Sequence, residues 1–151
     1  MSVQAVALRQ HWAGIAQGIQ QDMLSYGQLQ ELLQQQFHAA LRHDAQAMTS
    51  LGQAIESLAQ ELEQRRETRV NHARAILPQS HKVSMAQLFA TLQSPLREQL
   101  QKLWDALEAK VLLCQQMNVR NCQLIMEQAE VMRHVLSHGV TQHDSDIYAP
   151  R

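Results

Sequence analysis

The chain has 151 residues, of which 45% are hydrophobic and 4% aromatic, with five Gly and three Pro. This size and composition indicate one domain and favour long helices over β-sheet. A formal net charge of −1 excludes a general attraction to nucleic acid or to an anionic membrane. No run of about 18 apolar residues is present, so we expect no membrane insertion.

Cysteine usage and the N-terminal residues indicate the compartment. Cys114 and Cys122 are about 12 Å of rise apart in one predicted helix, too far for a disulfide between them. They behave as small apolar residues, which fits a reducing environment. The first residues, MSVQAVALRQHW, lack the charged head and apolar core of a signal peptide. We therefore expect a cytoplasmic protein.

The first predicted helix runs from Val3 to Leu41, where apolar residues recur at steps of three and four. Asp22 and Gln36 interrupt this apolar repeat. Ser25 and Gln28 have the spacing of a capping box, which leaves a break near Ser25 as an alternative. The sequence favours one long helix, kinked at most.

The second predicted helix runs from about Ala45 to Ile76, after a short turn at Arg42–Asp44 whose last residue suits a helix N-cap. Its first half has apolar residues at heptad spacing. Arg65, Arg69 and His72 then occupy the same heptad positions. Because a buried arginine needs a partner, we expect the bundle to open here and these side chains to reach water.

A basic patch follows from this arrangement, because Arg66 and Arg74 join the cationic residues at the end of the second helix. The patch has two interpretations, a binding site or a solvated helix end. A run of like charges at a helix end is more typical of a solvated end, which is the interpretation that we favour.

The last third of the chain predicts two more helices. Pro78 ends the second helix, and Ser84–Leu92 begins with a capping-box pattern and predicts a short helix over the bundle end. Ser94 is followed by a proline, a strong helix start, so a third long helix is predicted over Pro95–Ser137. Gly139 is its expected stop.

The predicted fold is therefore all-α. It is an antiparallel, coiled-coil-like bundle of three long helices plus one short helix. Residues 1–138 form the single bundle domain, and residues 139–151, which lack periodicity, form a flexible C-terminal tail.

The stretch Val111–Leu136 of the third long helix is apolar around more than half of its circumference. Its apolar residues form two stripes, with Asn121 and Gln128 between them. One stripe consists of Leu113, Met117, Leu124, Val131 and Val135. The other consists of Val111, Cys114, Cys122, Ile125, Ala129, Met132 and Leu136. Two stripes indicate two partners, the rest of this chain and an outside protein, although a helix at the centre of its own bundle is the alternative.

No catalytic pattern is present in the sequence. It has no Gly-rich phosphate loop and no nucleophile elbow, so we expect neither an enzyme nor a cofactor. His134 and His138 have a spacing that a metal can use, but no further residue completes a zinc motif, and we expect no metal site. Asn118 and Asn121 lie on the apolar side, where a buried amide commonly fixes helix register.

Two segments carry a resemblance to a known family. Asn118–Ile125, NVRNCQLI, resembles the N-x-x-N-x-x-L-I segment of the FlgN family, and Ile147–Pro150, IYAP, resembles its Leu-Tyr-Gly-Pro ending. The spacing of Leu32, Leu33, Leu41, Asp44, Met48 and Leu51 also resembles the family pattern. Gln36 and Ala149 depart from it, since the family often has Glu and Gly there. The resemblance covers about Leu29 to Arg151.

The resemblance implies a cytosolic chaperone of the flagellar type III export system, with the hook–filament junction proteins FlgK and FlgL as clients. It implies that the Val111–Leu136 helix binds the client's amphipathic C-terminal segment, and that Tyr148 docks on the cytoplasmic domain of the export-gate protein FlhA. The expected client-binding residues are Leu113, Met117, Asn118, Asn121, Leu124, Ile125, Gln128, Val131, Met132 and Val135. A structural coiled-coil adaptor without export function is the alternative. We expect a monomer or a weak homodimer that binds no nucleic acid.

Overall fold

The computed structural model describes residues 2–80 and 82–148, with side chains described as far as residue 138. It contains four helices in this part of the chain: α1 (Val3–Leu41), α2 (Ala45–Ile76), α3 (Met85–Ala90) and α4 (Leu96–Tyr148). No residue in the described ranges is in a strand. The predicted all-α fold, with three long helices and one short one, is confirmed.

Local capping explains why three of the helices begin where the sequence predicts. The side chain of Ser2 accepts a hydrogen bond from the amide of Ala5, and Asp44 accepts one from Ala47 at the start of α2. At the start of α3, Ser84 and Gln87 form both bonds of a capping box, each 3.1 Å long. These bonds satisfy amides that the first helical turn leaves without partners.

The turn between α1 and α2 ends α1 with a Schellman motif. The amide of Asp44 donates to the carbonyl of Ala39, and that of His43 donates to Ala40. His43 occupies the left-handed position of the motif, with φ 55°, where glycine is the usual residue. The turn therefore lies at the predicted place, and the backbone of His43 is strained there because its side chain disfavours a positive φ.

The three long helices run up, down and up. His11 of α1 lies beside His72 of α2, and Asp22 lies beside Arg65, so these two helices are antiparallel. Helix α4 returns alongside α1 in the same direction as α1. The thiol of Cys114 donates to the carbonyl of Tyr26 at 3.5 Å, and one and two heptads further on Asn121 bonds to Leu33 and Gln128 to Ala40.

Helix α1 is the centre of the bundle. It packs against both α2 and α4, whereas within the described residues no Cα of α2 lies within 8 Å of a Cα of α4. The sequence left a central place open for the third long helix, and the structure gives that place to α1. The backbones of the two outer helices are therefore separated, with a groove between them.

The apolar core lies at the end of the bundle that α3 covers. Leu88 and Phe89 of α3 are buried, and the Phe89 ring stacks on Trp12 with 6.2 Å between ring centroids. Helix α1 contributes Ile15 and Ile19, both almost without exposed surface. The short helix thus closes the bundle end, as predicted.

Two boundaries differ from the sequence prediction. Helix α1 continues through Ser25, which is buried, so the alternative break there does not occur. Helix α4 continues to Tyr148, past Gly139, where the sequence predicted its end. One glycine in a helix costs only about 1 kcal/mol, which does not stop a helix that is already propagating. The division into a bundle domain and a flexible tail stays a prediction.

Candidate partner-binding surface

Helix α4 is longer than the hairpin on which it packs. The hydrogen bond farthest along α4 that joins it to α1 in the described residues runs from the side-chain amide of Gln128 to the carbonyl of Ala40, at 2.9 Å and one residue before α1 ends. The 20 residues from 129 to 148 therefore extend about 30 Å past the α1–α2 turn. We call this part of α4 the overhang.

The overhang carries large apolar side chains that nothing in the described chain covers. Val131, Met132, Val135 and Leu136 are 62%, 55%, 57% and 60% exposed. They come from both stripes that the sequence predicts. Contiguous exposed apolar side chains of this size are uncommon on a monomer and are typical of surfaces that bind a partner.

Nearer the bundle, the side of α4 that faces α1 includes Cys114 of the second stripe and then runs between the two stripes. Every seventh residue is buried or half-buried there, in the order Leu100, Leu107, Cys114, Asn121 and Gln128. Members of both stripes flank this line and are half-buried, among them Met117, Leu124 and Ile125. The expectation that one whole stripe would be core is therefore wrong. The cause is that α4 turns the edge between its stripes towards α1.

The ten residues predicted to bind a client separate by exposure. Leu113, Asn118, Val131, Met132 and Val135 are exposed, and Met117, Leu124, Ile125 and Gln128 are half-buried against α1. Asn121 has no exposed surface. A client can therefore touch the first group directly, whereas Asn121 can act only through the position of α4.

Asn121 is a buried amide whose hydrogen bonds are all used. Its Nδ2 donates to the carbonyl of Leu33 at 2.7 Å and to Oε1 of Gln36 at 2.9 Å, and its Oδ1 accepts from Arg120. The guanidinium of Arg120 lies 3.9 Å from the centroid of the Phe37 ring. Because a one-residue slip would leave this amide buried without partners, it fixes the register of α4 on α1. Gln36, an interruption in the sequence pattern, is its partner.

A shared ion pair joins α1 to α2 where the sequence predicted an opening. Asp22 is 2% exposed and binds Nη1 of both Arg65 and Arg69 at 2.8 Å. These arginine side chains are only 22% and 14% exposed, so the expectation that they reach open water is wrong. The physical reason is that the polar interruptions of the two antiparallel helices lie at the same level. Each oxygen of one carboxylate then satisfies one guanidinium.

The groove between α2 and α4 is floored by α1. Tyr26, Leu29 and Leu33 form its floor, and Ile55 of α2 and Val111 of α4 stand on opposite walls, around a volume of about 340 Å³. Burial, and after it the nearby Asp22 carboxylate, raises the pKa of Tyr26. The Tyr26 hydroxyl is therefore neutral, and the charged side chain that α1 adds to this cavity is Asp22. No periodicity in the sequence signals this groove, because it arises from the way α2 and α4 both pack on α1 without packing on each other.

The remaining predicted site residues give no assembled centre. The rings of His134 and His138 stack with 5.7 Å between centroids, and the part of the chain that the structure describes holds no group of three potential metal ligands. Tyr148 is the last helical residue of α4, and its side chain is outside the described ones. Among the described helices, none is long and apolar enough to cross a membrane.

These features define a class of protein, an elongated all-helical bundle with an uncovered apolar helix end. The chain matches the family model described as FlgN protein over residues 13–150, so it belongs to the FlgN family, a family of flagellar export chaperones. The resemblance found in the sequence is thereby confirmed. Comparison with curated proteins gave no match, and comparison with solved structures gave none.

Proposed function

We propose that this protein is the cytoplasmic export chaperone of the hook–filament junction proteins FlgK and FlgL. In this proposal, α4 covers the amphipathic C-terminal segment of the unassembled client, and Tyr148 docks the complex on the cytoplasmic domain of FlhA. Family membership supports the general role. The observation that carries the client site is the run of four large apolar side chains on the overhang, each more than half exposed.

Covering such a segment is a task that an apolar helix can perform. An unassembled subunit that exposes an apolar helix face tends to self-associate, and a partner helix with anchors at steps of three and four can bury that face. Full burial of a side chain of this size contributes about 1.5–3 kcal/mol, so each of the four, at its remaining exposure, contributes about 1–2 kcal/mol. Association entropy offsets a large part of this sum.

The predicted client-binding residues take different parts in the proposal. Val131, Met132 and Val135 contact the client directly, together with exposed residues nearer the bundle such as Leu113 and Asn118. Methionine adapts to irregular surfaces, which suits a site that binds more than one client. The half-buried residues and Asn121 hold α4 in register on α1.

The test is co-purification of the full chain with FlgK and FlgL, followed by calorimetry with each subunit. We expect Met132→Ala combined with Val135→Ala to weaken client binding at least about tenfold, because two partly exposed anchors are lost. The melting temperature should stay unchanged, since neither side chain packs on the bundle. The matched control is Leu24→Ala, which removes an apolar side chain that is 73% exposed on α1.

Three results would contradict the client site. Failure of both subunits to co-purify would leave the structural adaptor as the better proposal. Unchanged affinity in the double variant would exclude the overhang as the contact. A loss of affinity in Leu24→Ala as well would indicate a general effect of surface hydrophobicity.

The docking role of Tyr148 has its own test. We expect Tyr148→Ala to leave folding and client binding unchanged and to weaken FlhA binding by about 1–2 kcal/mol, the scale of a lost aromatic anchor. Calorimetry with the cytoplasmic domain of FlhA and a preformed chaperone–client complex measures this difference. Equal affinities would exclude docking through Tyr148. A lower melting temperature would instead indicate that the ring packs on its own bundle.

A further inference from the structure

A further cavity lies between α2 and α4, at the end of the bundle that α3 covers, and we call it the basic pocket. Its volume is about 490 Å³, and α2, α4 and the connector to α3 contribute to its lining. Arg69 closes it on the side of the groove, because this side chain binds Asp22 of α1 while its guanidinium lies 5.2 Å from the centroid of the Trp104 ring. The basic pocket is therefore separate from the groove described above.

The lining of the basic pocket combines positive charge with apolar surface. Its cations are Arg66, Arg69, Arg74 and Lys82. Its apolar residues are Val70, Ala73, Val83, Met85 and Trp104. Among the described residues that line it, none is an Asp or Glu. A cavity with this lining suits a ligand that carries both negative charge and an apolar group.

Two of the four cations have no partner within the described chain. Arg66 binds Glu63 at 2.7 Å and Arg69 binds the buried carboxylate of α1 at 2.8 Å, so these two charges are compensated. Arg74 and Lys82 are exposed, and neither forms an ion pair or a hydrogen bond with another described residue. Their charges are available to an anion from outside.

A solvated helix end, the interpretation that the sequence favoured for this patch, requires charge alone. Here the two uncompensated cations border a cavity with a half-buried indole ring, that of Trp104, and half-buried aliphatic side chains such as Val70 and Val83. Positive charge around a partly open apolar cavity is the arrangement of a recognition site, in which the apolar surface supplies contact area and the charges select the partner.

We propose that the basic pocket binds an acidic peptide segment of a partner protein, with an apolar side chain of the segment in the cavity and its flanking carboxylates beside Arg74 and Lys82. A peptide fits this lining better than a phosphorylated small molecule does, because five of the nine lining residues are apolar and the sequence has no Gly-rich phosphate loop.

This inference goes beyond the proposed function, because the basic pocket and the overhang lie at opposite ends of the protein. Trp104 precedes the first residue of the overhang, Ala129, by 25 helical residues, which is about 37 Å of rise. An acidic segment in the basic pocket therefore leaves the overhang uncovered, and the protein can bind two partners at once.

The test measures the binding of short peptides, acetylated and amidated at their ends, to the full chain. The acidic peptide is Asp-Glu-Leu-Glu-Asp, the neutral peptide is Asn-Gln-Leu-Gln-Asn, and a third peptide has Gly in place of the Leu of the acidic one. In calorimetry we expect the acidic peptide to bind at least about threefold more tightly than the neutral one, the scale of two exposed charge pairs. It should bind about tenfold more tightly than the Gly peptide, which has no apolar side chain to bury.

Fluorescence locates the bound peptide. The chain has two tryptophans, so Trp12→Phe leaves Trp104 as the single reporter, and its emission should shift to shorter wavelength when the peptide covers the ring. Arg74→Gln combined with Lys82→Gln should weaken binding of the acidic peptide about three- to tenfold. Folding should persist in this double variant because both side chains are exposed.

The matched control is Arg9→Gln combined with Lys102→Gln. It removes the same charge from two exposed residues near the same end of the bundle that do not line the basic pocket. The affinity for the acidic peptide should stay unchanged in this control, and also in Met132→Ala combined with Val135→Ala.

Several outcomes would overturn the proposal. Absence of binding by the acidic peptide, or equal affinity for the acidic and neutral peptides, would exclude recognition of an acidic segment. An equal loss of affinity in the Arg9 and Lys102 control would show a general attraction between opposite charges. Loss of binding in the overhang variant would place the peptide on the overhang, and displacement by inorganic pyrophosphate at concentrations below that of the peptide would indicate a phosphate site. Co-purification with FlgK and FlgL tests the proposed function separately from all of these results.

Discussion

Removing the carboxylate of Asp22 is the sharpest test of the interface between α1 and α2. Asp22→Ala deletes both 2.8 Å ion pairs, leaves Arg69 without an anion and leaves Arg65 only the exposed Glu61 at 3.7 Å. Breaking a buried pair by removing one partner costs about 3–5 kcal/mol. Because the two arginine side chains keep 22% and 14% of their exposure and regain some hydration, we expect about 2–4 kcal/mol.

Urea denaturation followed by circular dichroism measures this free energy of unfolding, and the melting temperature should fall by about 5–15 °C. The control is Glu61→Ala. It removes the other carboxylate near Arg65, which is 3.7 Å away and 60% exposed, so the change should stay within about 0.5 kcal/mol. If Asp22→Ala changes stability no more than Glu61→Ala does, then the shared ion pair does not hold the two helices together.

Three further predictions test local features of the bundle. Asn121→Ala should cost about 1–3 kcal/mol in urea denaturation, because it deletes the amide that bonds to α1, whereas exposed Asn118→Ala should change stability by less than about 0.5 kcal/mol. His43→Gly should raise the free energy of unfolding by about 0.5–1 kcal/mol, and with it the melting temperature, since glycine relieves the strain of the left-handed backbone. A lower melting temperature would show that the turn is not strained. Burial, and after it the neighbouring histidine, lowers the pKa of His72 below its ordinary value of 6.5, so the unfolded chain binds a proton more readily than the native one. Stability should therefore fall as the pH drops below about 6.5, and His72→Gln should reduce this slope; an identical slope in the variant would exclude His72 as its source.

The helix boundaries that the sequence predicted are the ones that local chemistry sets. Asp44 caps α2, and Ser84 caps α3 together with a glutamine three residues on, so the signal and its cause lie within one turn. The end of α4 was predicted from Gly139 alone. Its actual course depends on helix propagation, which a single residue does not decide.

The shared ion pair and the groove could not be predicted from local sequence signals, because both depend on which helices pack together. Asp22 interrupts the apolar repeat of α1, and Arg65 and Arg69, which lie 43 and 47 residues further along the chain, interrupt that of α2. Only the antiparallel register of α1 on α2 brings these residues together as a shared ion pair. That register was available in principle, since counting outwards from the turn at Asp44 brings the interruptions to the same level. The groove gave no comparable signal, because the separation of α2 from α4 depends on how all three long helices pack.

The line of residues by which α4 packs on α1 becomes more polar along the helix. Leu100 and Leu107 come first, then Cys114, and then Asn121 and Gln128, which are held by hydrogen bonds. Apolar burial stabilises the early part of this interface more than exchangeable hydrogen bonds stabilise the late part. The free energy needed to separate α4 locally from α1 should therefore decrease towards the overhang. We expect α4 to separate from α1 first at Gln128 and then progressively towards α3. A client bound at the overhang would thus lie on the part of α4 that separates first from α1. A pulling force on the client would act there, where the free energy of local unfolding is lowest.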